Sequence, residues 1–411
     1  MYYKHIVLIT SGQPATNPRL VKEADCLTAN GYRVTVLYCY WNKWATLADV
    51  AIMHGRKWKI IRVGGSPAES PLTYMTSKLI QKLALCMSRI FLNNKLVVYA
   101  LSRATFPLVQ ATKKIIGDIY LAHNLAALPA AVEAARAHQA VAGFDAEDYH
   151  RHETGASPSG LISQLKVMLE DRYIPQLDYF STSSTEIADL YKSHYQYQPL
   201  VLRNLLPLEP LPFKKELPDG RKTLKLFWFS QTIGPNRGIE LIIESLKYLK
   251  TPRYELHLLG EPRTGYLKQI VDLAATHGIP PTKLHFHPPV PPGRLFRYCC
   301  KFDVGLASEP GHCTNNDAAL SNKLFTYIQA GLAVLLSDTK AQKTFYDQYP
   351  QIGICYKKDC AIDLGQAIQY YIDNDLELRH TKRANYLLGQ HTLNWDRESQ
   401  HFINKIRQTI N

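Results

Sequence analysis

Short, unbroken apolar runs alternate along the chain with longer stretches whose apolar positions recur at helical spacing. Such runs suit parallel strands covered on both faces, and the alternation predicts helices between them. The first run, His5–Thr10 (HIVLIT), leads into a turn-rich loop at 11–18 (SGQPATNP). A helix is expected from Arg19 to about Asn30, stopped by Gly31, and then a strand over 32–38 (YRVTVLY). This strand–helix–strand unit is the building block of a parallel sheet. A short strand at 118–121 delivers His123 and Asn124 at its carboxyl end, and helices at about 158–172 and 184–194 accompany strands at 179–182 and 199–203. The pattern breaks at the proline-rich segment LPLEPLPFKKELPDG, which reads as a linker over 206–222.

The alternation then restarts. Strands are expected at 224–229, 254–260, 283–287, 302–307, 332–336 and 352–356, with helices at 239–249, 264–277, 292–300, 361–374, 376–389 and 395–410. A further helix starts at Ser321 and Asn322, a good N-cap pair, carries Lys323 in its first turn and ends at Gly331. The predicted fold class is α/β, with two Rossmann-like domains built on parallel sheets. Their bounds are 1–205 and 223–392, followed by a C-terminal helical segment at 393–411.

Length agrees with two domains, since 411 residues exceed the roughly 250–300 at which one core stops growing. Net charge changes the picture more: +13 implies an anionic partner such as a phosphate-bearing substrate or an acidic membrane surface. No zinc-finger or RNA-recognition signature accompanies it, so nucleic acid is not expected as a partner. The eight cysteines are scattered without a CxxC pair, which disfavours metal or redox use. With no secretory signal and no apolar run of membrane-spanning length, a cytoplasmic location is expected. Residues 71–117 carry seven Lys or Arg and no acidic residue. Within them Leu79, Leu83, Cys86 and Ile90 share a helical face flanked by Lys78, Lys82 and Arg89. That composition fits a helix lying on the inner, anionic face of a membrane; a core-facing amphipathic helix is the alternative.

Candidate chemistry gathers at strand ends, where open α/β sheets bind ligands. Gly12 lets the first loop approach a ligand closely, Arg19 at a helix start can take an anionic group, and His123 suits catalysis or ligand contact. Residues 141–153 (VAGFDAEDYHRHE) pack Asp145, Glu147, Asp148, His150, His152 and Glu153 into one segment, read as an acceptor-recognising loop offering carboxylates to sugar hydroxyls. A metal site there is conceivable, but no second cluster completes a ligand shell. Gly234 and Gly238 flank Arg237 in a strand-to-helix loop suited to a pyrophosphate. Neither GxGxxG nor a GK[ST] ending is present, which argues against dinucleotide binding and nucleotide hydrolysis.

Five segments in order, NPRLVKEADCLTANGYRVTVL, DIYLAHN, FDAEDYH, FSQTIGPNRGIE and SNKLFTYIQAGLAVLLSDTKAQ, resemble the GT-B glycosyltransferases, specifically the retaining family 4 group and a bacterial subgroup with an NKLFTY-type motif. The resemblance covers nearly the whole chain. It implies two Rossmann-like domains facing a cleft, the donor held mainly by the second and the acceptor by the first, and a last helix returning to the first. It further implies a nucleotide diphosphate sugar as donor and a glycan or lipid-linked acceptor, in cell-surface polysaccharide biosynthesis. By the same likeness Arg237 and Lys323 neutralise the donor diphosphate, Gly12 sits beside its phosphates, Asn322 joins Lys323 at the helix start, and His123 and Glu309 position the sugar. No metal cofactor is needed if these cations and the helix dipole carry the leaving-group charge. One departure stands out. The family's Glu-x7-Glu pattern is absent, with Thr326 at the ribose-binding position and Ala318 eight residues before it. Two other functions share the fold: nucleotide-sugar 2-epimerisation, and a non-catalytic partner subunit.

Overall fold

The computed structural model describes residues 4–91, 95–153, 160–209 and 223–410; most of the expected linker therefore lies outside the described residues. The chain divides into two compact units, one of residues 1–202 with 399–411 and one of residues 203–398.

The first unit holds a seven-stranded parallel sheet: β1 (His5–Thr10), β2 (Arg33–Cys39), β3 (Lys59–Val63), β4 (Ile119–His123), β5 (Val141–Asp145), β6 (Tyr179–Thr182) and β7 (Leu200–Val201). Its spatial order is β3-β2-β1-β4-β5-β6-β7. Every residue of β1 and β4 is buried, as the unbroken apolar runs require of strands covered on both faces. Strand order reverses direction between β1 and β4, and Thr10 pairs with His123 across that junction. The carboxyl ends of these two strands are thus the switch point at which such sheets bind ligands. Phe402, Ile403 and Ile406 of the helix Trp395–Ile410 are buried, and the Phe402 ring stands edge-on to Tyr179 at 6.3 Å.

The second unit holds six parallel strands, β8 (Leu224–Ile233), β9 (Tyr254–Pro262), β10 (Leu284–His287), β11 (Val304–Ala307), β12 (Ala333–Ser337) and β13 (Gly353–Tyr356), in the order β10-β9-β8-β11-β12-β13. Alternation along β8 serves both layers. Leu226 and Trp228 pack with Ile239 and Ile242 on one face, and Phe227 between them packs with Phe325 and Tyr327 on the other. Here the reversal falls between β8 and β11.

The helix Pro71–Ser88 is turned opposite to an ordinary core helix. Ser77, Ala84 and Ser88 face inward, with Ala84 packed against Val97 and Leu165. Leu72, Met75, Leu79 and Leu83 face solvent at 84%, 60%, 57% and 56% exposure, and Ile90 and Phe91 continue the stripe. The core-facing alternative is therefore excluded for Leu79 and Leu83. Not all of 71–117 shares this character. Arg103 is spent on the carbonyls of Tyr40 and Gly64 and on Ser77, Lys113 pairs with Glu133 at 3.1 Å, and Thr105, Leu108, Val109 and Thr112 of the helix Thr105–Thr112 are buried. Residues 92–94 lie outside the described residues.

Candidate functional site

In the first unit, the polar residues at the switch point collect around one buried ion pair. The helix Pro18–Ala29 begins with Asn17 accepting from the backbone N–H of Leu20, which aims Arg19 inward. Arg19 is fully buried and donates through Nε and Nη2 to the Asp145 carboxylate, the second bond at 2.8 Å, and through Nη1 to the Leu202 carbonyl at 2.6 Å. Asp145 ends β5 and also accepts from Ser181 Oγ at 2.8 Å. The anionic group expected for Arg19 is therefore a carboxylate of the chain itself. A bidentate, desolvated pair is the reason. Likewise, the segment expected as one loop at 141–153 begins as strand β5, so only its later residues are loop.

His123 completes the cluster. It is fully buried, with Nε2 3.2 Å from Glu23 Oε2 and Nδ1 3.5 Å from Asp145 Oδ2. Neither approach has hydrogen-bond alignment, so these are charge contacts. Burial alone lowers the imidazole pKa, but Glu23 and Asp145 override it and leave it raised. Lys22 is lowered to about 7, first by burial and then by Arg19. Glu147 is raised to about 7, first by burial and then by Asp145, against the pull of Arg19 and His123. The ligand atoms of Glu23, His123 and Asp145 lie within 4.8 Å of one another, but Arg19 already supplies the positive charge they need.

Gly12 stands two residues past β1, tied in by Thr10 and Ser11, whose hydroxyls donate to Asn124 Oδ1 at 2.7 and 3.3 Å. Asn124 adopts φ 72° and ψ 145°, outside the left-handed helical region that asparagine tolerates, directly after His123. His123 and Gly12 thus follow paired strands at the same switch point. His150 is not aimed at the cluster, whereas the Asp148 carboxylate lies close enough to Glu147 to help raise it. The Asp148 carbonyl accepts from Tyr191, and His150 Nδ1 lies 3.2 Å from Glu153 Oε2, which with the other nearby carboxylates raises the ring against the lowering effect of burial. The next residue, Arg151, holds this segment to the helix Leu161–Tyr173 through Glu170 at 2.8 Å and Asp171 at 2.5 Å. Glu23 and Lys22 were not identified from sequence. Their signal was the spacing from Arg19, three and four residues on, which puts all three on one helical face.

In the second unit, Glu309 leaves the carboxyl end of β11 and meets Lys323 at the start of the helix Asn322–Gln329. Lys323 Nζ donates to Glu309 Oε1 at 2.5 Å and to Ser321 Oγ at 3.1 Å, and lies 5.8 Å from the centroid of the Trp228 ring. Asn316 Nδ2 donates to Glu309 Oε2 at 3.3 Å, and Ser337 Oγ to the Glu309 carbonyl at 2.7 Å. Asn316 lies in a short helix, Thr314–Ala318, within the stretch expected to be loop. Burial would raise the Glu309 carboxyl, but Lys323 outweighs it and holds the group below the usual carboxylate range. Ser321 caps the helix, leaving Asn322 exposed at its first position.

Arg237 lies in the loop after β8, partly exposed, donating to Ser230 Oγ at 2.7 Å. The strand continues to Ile233, past its expected end at 229. Gly238 follows at φ 74°, and a Cβ there would stand 2.1 Å from the Ser308 carbonyl, so only glycine lets this loop close onto the end of β11. Arg237 and the Glu309–Lys323 pair therefore flank the second switch point. Thr326 is otherwise placed. It is 2% exposed, and its hydroxyl donates to the Asn322 carbonyl at 2.9 Å within its own helix.

Two parallel-sheet Rossmann-like units with these switch points make the GT-B fold. Solved structures agree along almost the whole chain. Anabaena Alr3699/HepE in complex with UDP-glucose matches with TM-score 0.68 at 12% identity, covering 99% of this chain and 100% of that one. A variant of S. aureus TarM in complex with Fondaparinux, alpha-GlcNAc-glycerol and UDP gives 0.70 at 10%, covering 98% and 99%. Sucrose-phosphate synthase from Thermosynechococcus elongatus gives 0.66 at 11%, covering 98% of each. A family model described as glycosyl transferase-like matches residues 236–400, the segment that contains Arg237, Glu309 and Lys323. No curated protein sequence matches the chain significantly.

Proposed function

We propose that the chain is a retaining glycosyltransferase moving a sugar from a nucleotide diphosphate sugar to a glycan or lipid-linked acceptor in cell-surface polysaccharide biosynthesis. The observation that carries this reading is the Glu309–Lys323 pair at 2.5 Å, set at a helix start beside the second switch point. A diphosphate placed there meets Lys323, the backbone N–H groups of the helix start and Arg237, which together offset the charge that develops as the sugar–phosphate bond breaks. The acceptor oxygen forms the new bond to the anomeric carbon, and its proton leaves with the departing diphosphate. Within the second unit Glu309 positions the sugar, and within the first Glu147 serves the acceptor. No metal ion is assigned to this reaction. The bound structures of Alr3699/HepE with UDP-glucose support a nucleotide sugar as the donor class.

Glu147 at about 7 also suits the general acid/base chemistry of a 2-epimerase. A panel of nucleotide sugars, assayed for a raised melting temperature and for nucleoside diphosphate release with acceptor, separates the readings. Release with a retained anomeric configuration is expected. Isomerised donor without release supports the epimerase, and absence of any binding supports a non-catalytic subunit.

We also assign the outward stripe of Pro71–Ser88 to an anionic bilayer, which keeps the protein at the inner face of the membrane. The Tyr40 ring meets Tyr74 of this helix edge-on at 6.1 Å, and Trp41, Trp44, Leu47 and Val50, in the segment that follows Tyr40, are exposed as well. Lys78, Lys82 and Arg89 supply the complementary charge. Among the described residues no helix is long and apolar enough to cross a membrane. Co-sedimentation with anionic vesicles is expected to be weakened by salt and abolished in Leu79→Glu/Leu83→Glu. Equal binding to neutral vesicles, or an unaffected variant, removes this assignment.

A further inference from the structure

Away from both switch points, the amino half of the second sheet carries four ionisable side chains on its outermost strands. Glu255 and His257 are two residues apart on β9, so both project to one face. His285 pairs directly opposite His257 on the edge strand β10, and His287 follows on the same face. The rings of His257 and His285 stack with centroids 4.5 Å apart, and those of His257 and His287 with 5.3 Å. One ligand atom from each of Glu255, His257 and His285 lies within 4.8 Å of the other two. His257 Nε2 is 3.3 Å from Glu255 Oε2 and His257 Nδ1 is 3.0 Å from His287 Nε2, while the buried Nε2 of His285 has no hydrogen-bond partner among the described residues.

We propose that Glu255, His257 and His285 bind a divalent transition-metal ion of the zinc class, with His287 orienting the His257 ring. When His257 Nδ1 donates to His287, its Nε2 presents a lone pair beside a carboxylate and an unpartnered imidazole nitrogen. Three electron-rich atoms facing one another repel unless a cation lies between them. Two imidazoles and one carboxylate are the donors that zinc takes in three-ligand sites, with water in the remaining position; the hard cations magnesium and calcium select oxygen-only shells. Ligand spacing is set by the distance between neighbouring strands, so no loop must be ordered for binding. The contact from His287 is the outer-shell partner that metal-bound histidines commonly have.

The site is separate from the donor loops. Phe227 pairs with His257, so the cluster lies before β8 reaches Ser230 and the phosphate-facing turn. Among the described residues, strand β10 joins the sheet only through β9. A shared ion fastens this edge strand in place, which is a stabilising role and not a step in sugar transfer.

The test uses the full chain, stripped with a chelator and titrated with zinc and with cobalt. Expected results are one ion per chain, a melting temperature that rises with zinc, and cobalt bands of a nitrogen- and oxygen-bound ion without sulfur charge transfer. His285→Ala and Glu255→Gln, both at partly exposed positions, are expected to weaken binding about tenfold or more, while His401→Ala on the C-terminal helix leaves it unchanged. Absence of stoichiometric uptake, a cobalt–sulfur band, or unaltered affinity in the two cluster variants overturns the proposal.

Discussion

Asp145→Asn is expected to lower the stability of the first unit by about 3–5 kcal/mol, the cost of leaving one member of a buried ion pair uncompensated. Arg19 is fully buried, so water cannot replace the lost carboxylate, and its remaining charge contact is Glu23 at 3.6 Å. For a unit of this size the loss corresponds to a melting temperature lower by roughly 6–20 °C. Denaturant unfolding followed by circular dichroism measures it, and an unchanged midpoint refutes the account. Adding Arg19→Met to Asp145→Asn is expected to recover part of the loss, because the orphaned charge goes with it. The same substitution carries a pH signature. His123 titrates above its ordinary value because Glu23 and Asp145 favour the imidazolium. Its contribution is therefore fully present below about 6.5 and is lost as pH rises through the higher folded value. Removing Asp145 moves that loss to lower pH, which the His123 ring resonance in an NMR titration reports.

Lys323→Met is expected to weaken nucleotide-sugar binding about 10- to 100-fold, the worth of a charge-assisted hydrogen bond to phosphate. The substitution also strips Glu309 of the cation that holds its pKa down, in a side chain only 12% exposed. The carboxyl then rises toward neutrality, and residual donor binding strengthens at lower pH as the repelling charge is neutralised. Calorimetric titration at two pH values resolves both effects. Glu309→Gln added to Lys323→Met is expected to remove the pH dependence without restoring full affinity. Donor affinity indistinguishable from the parent would exclude Lys323 from the phosphate site.

Much of the fold was legible because parallel strands covered on both faces must be apolar throughout, and β1, β4, β11 and β12 announce themselves as such runs. Strand β3 did not: Lys59–Val63 mixes charged with aliphatic residues at the edge of its sheet, where its side chains are at most partly covered. Local chemistry was equally readable. Ser321, Lys323 and Gly331 mark a helix start and stop within a few residues; the pairing of Lys323 with Glu309, fourteen residues apart, had no such local mark. Partners distant along the chain left no comparable trace. Arg19 looked ligand-facing because its carboxylate is 126 residues away on β5. Thr326 was judged by position, whereas its hydroxyl is bonded back to the preceding turn. The histidines of β9 and β10 escaped notice for the same reason, since only strand pairing brings His257 opposite His285.

The discontinuity of the first unit has a consequence for how the protein is made. Residues 399–411 belong with residues 1–202 and supply buried Phe402, Ile403 and Ile406. During synthesis the ribosome releases these residues only after the entire second unit has been translated. The first sheet can pair early, because its strands are contiguous, but its apolar face beside Tyr179 stays uncovered for as long as nearly 200 further residues take to emerge. At about 5–20 residues per second, that wait is on the order of ten to forty seconds. The second unit, contiguous from 203 to 398, has no such wait, so the first part of the chain to be made is the last to be finished.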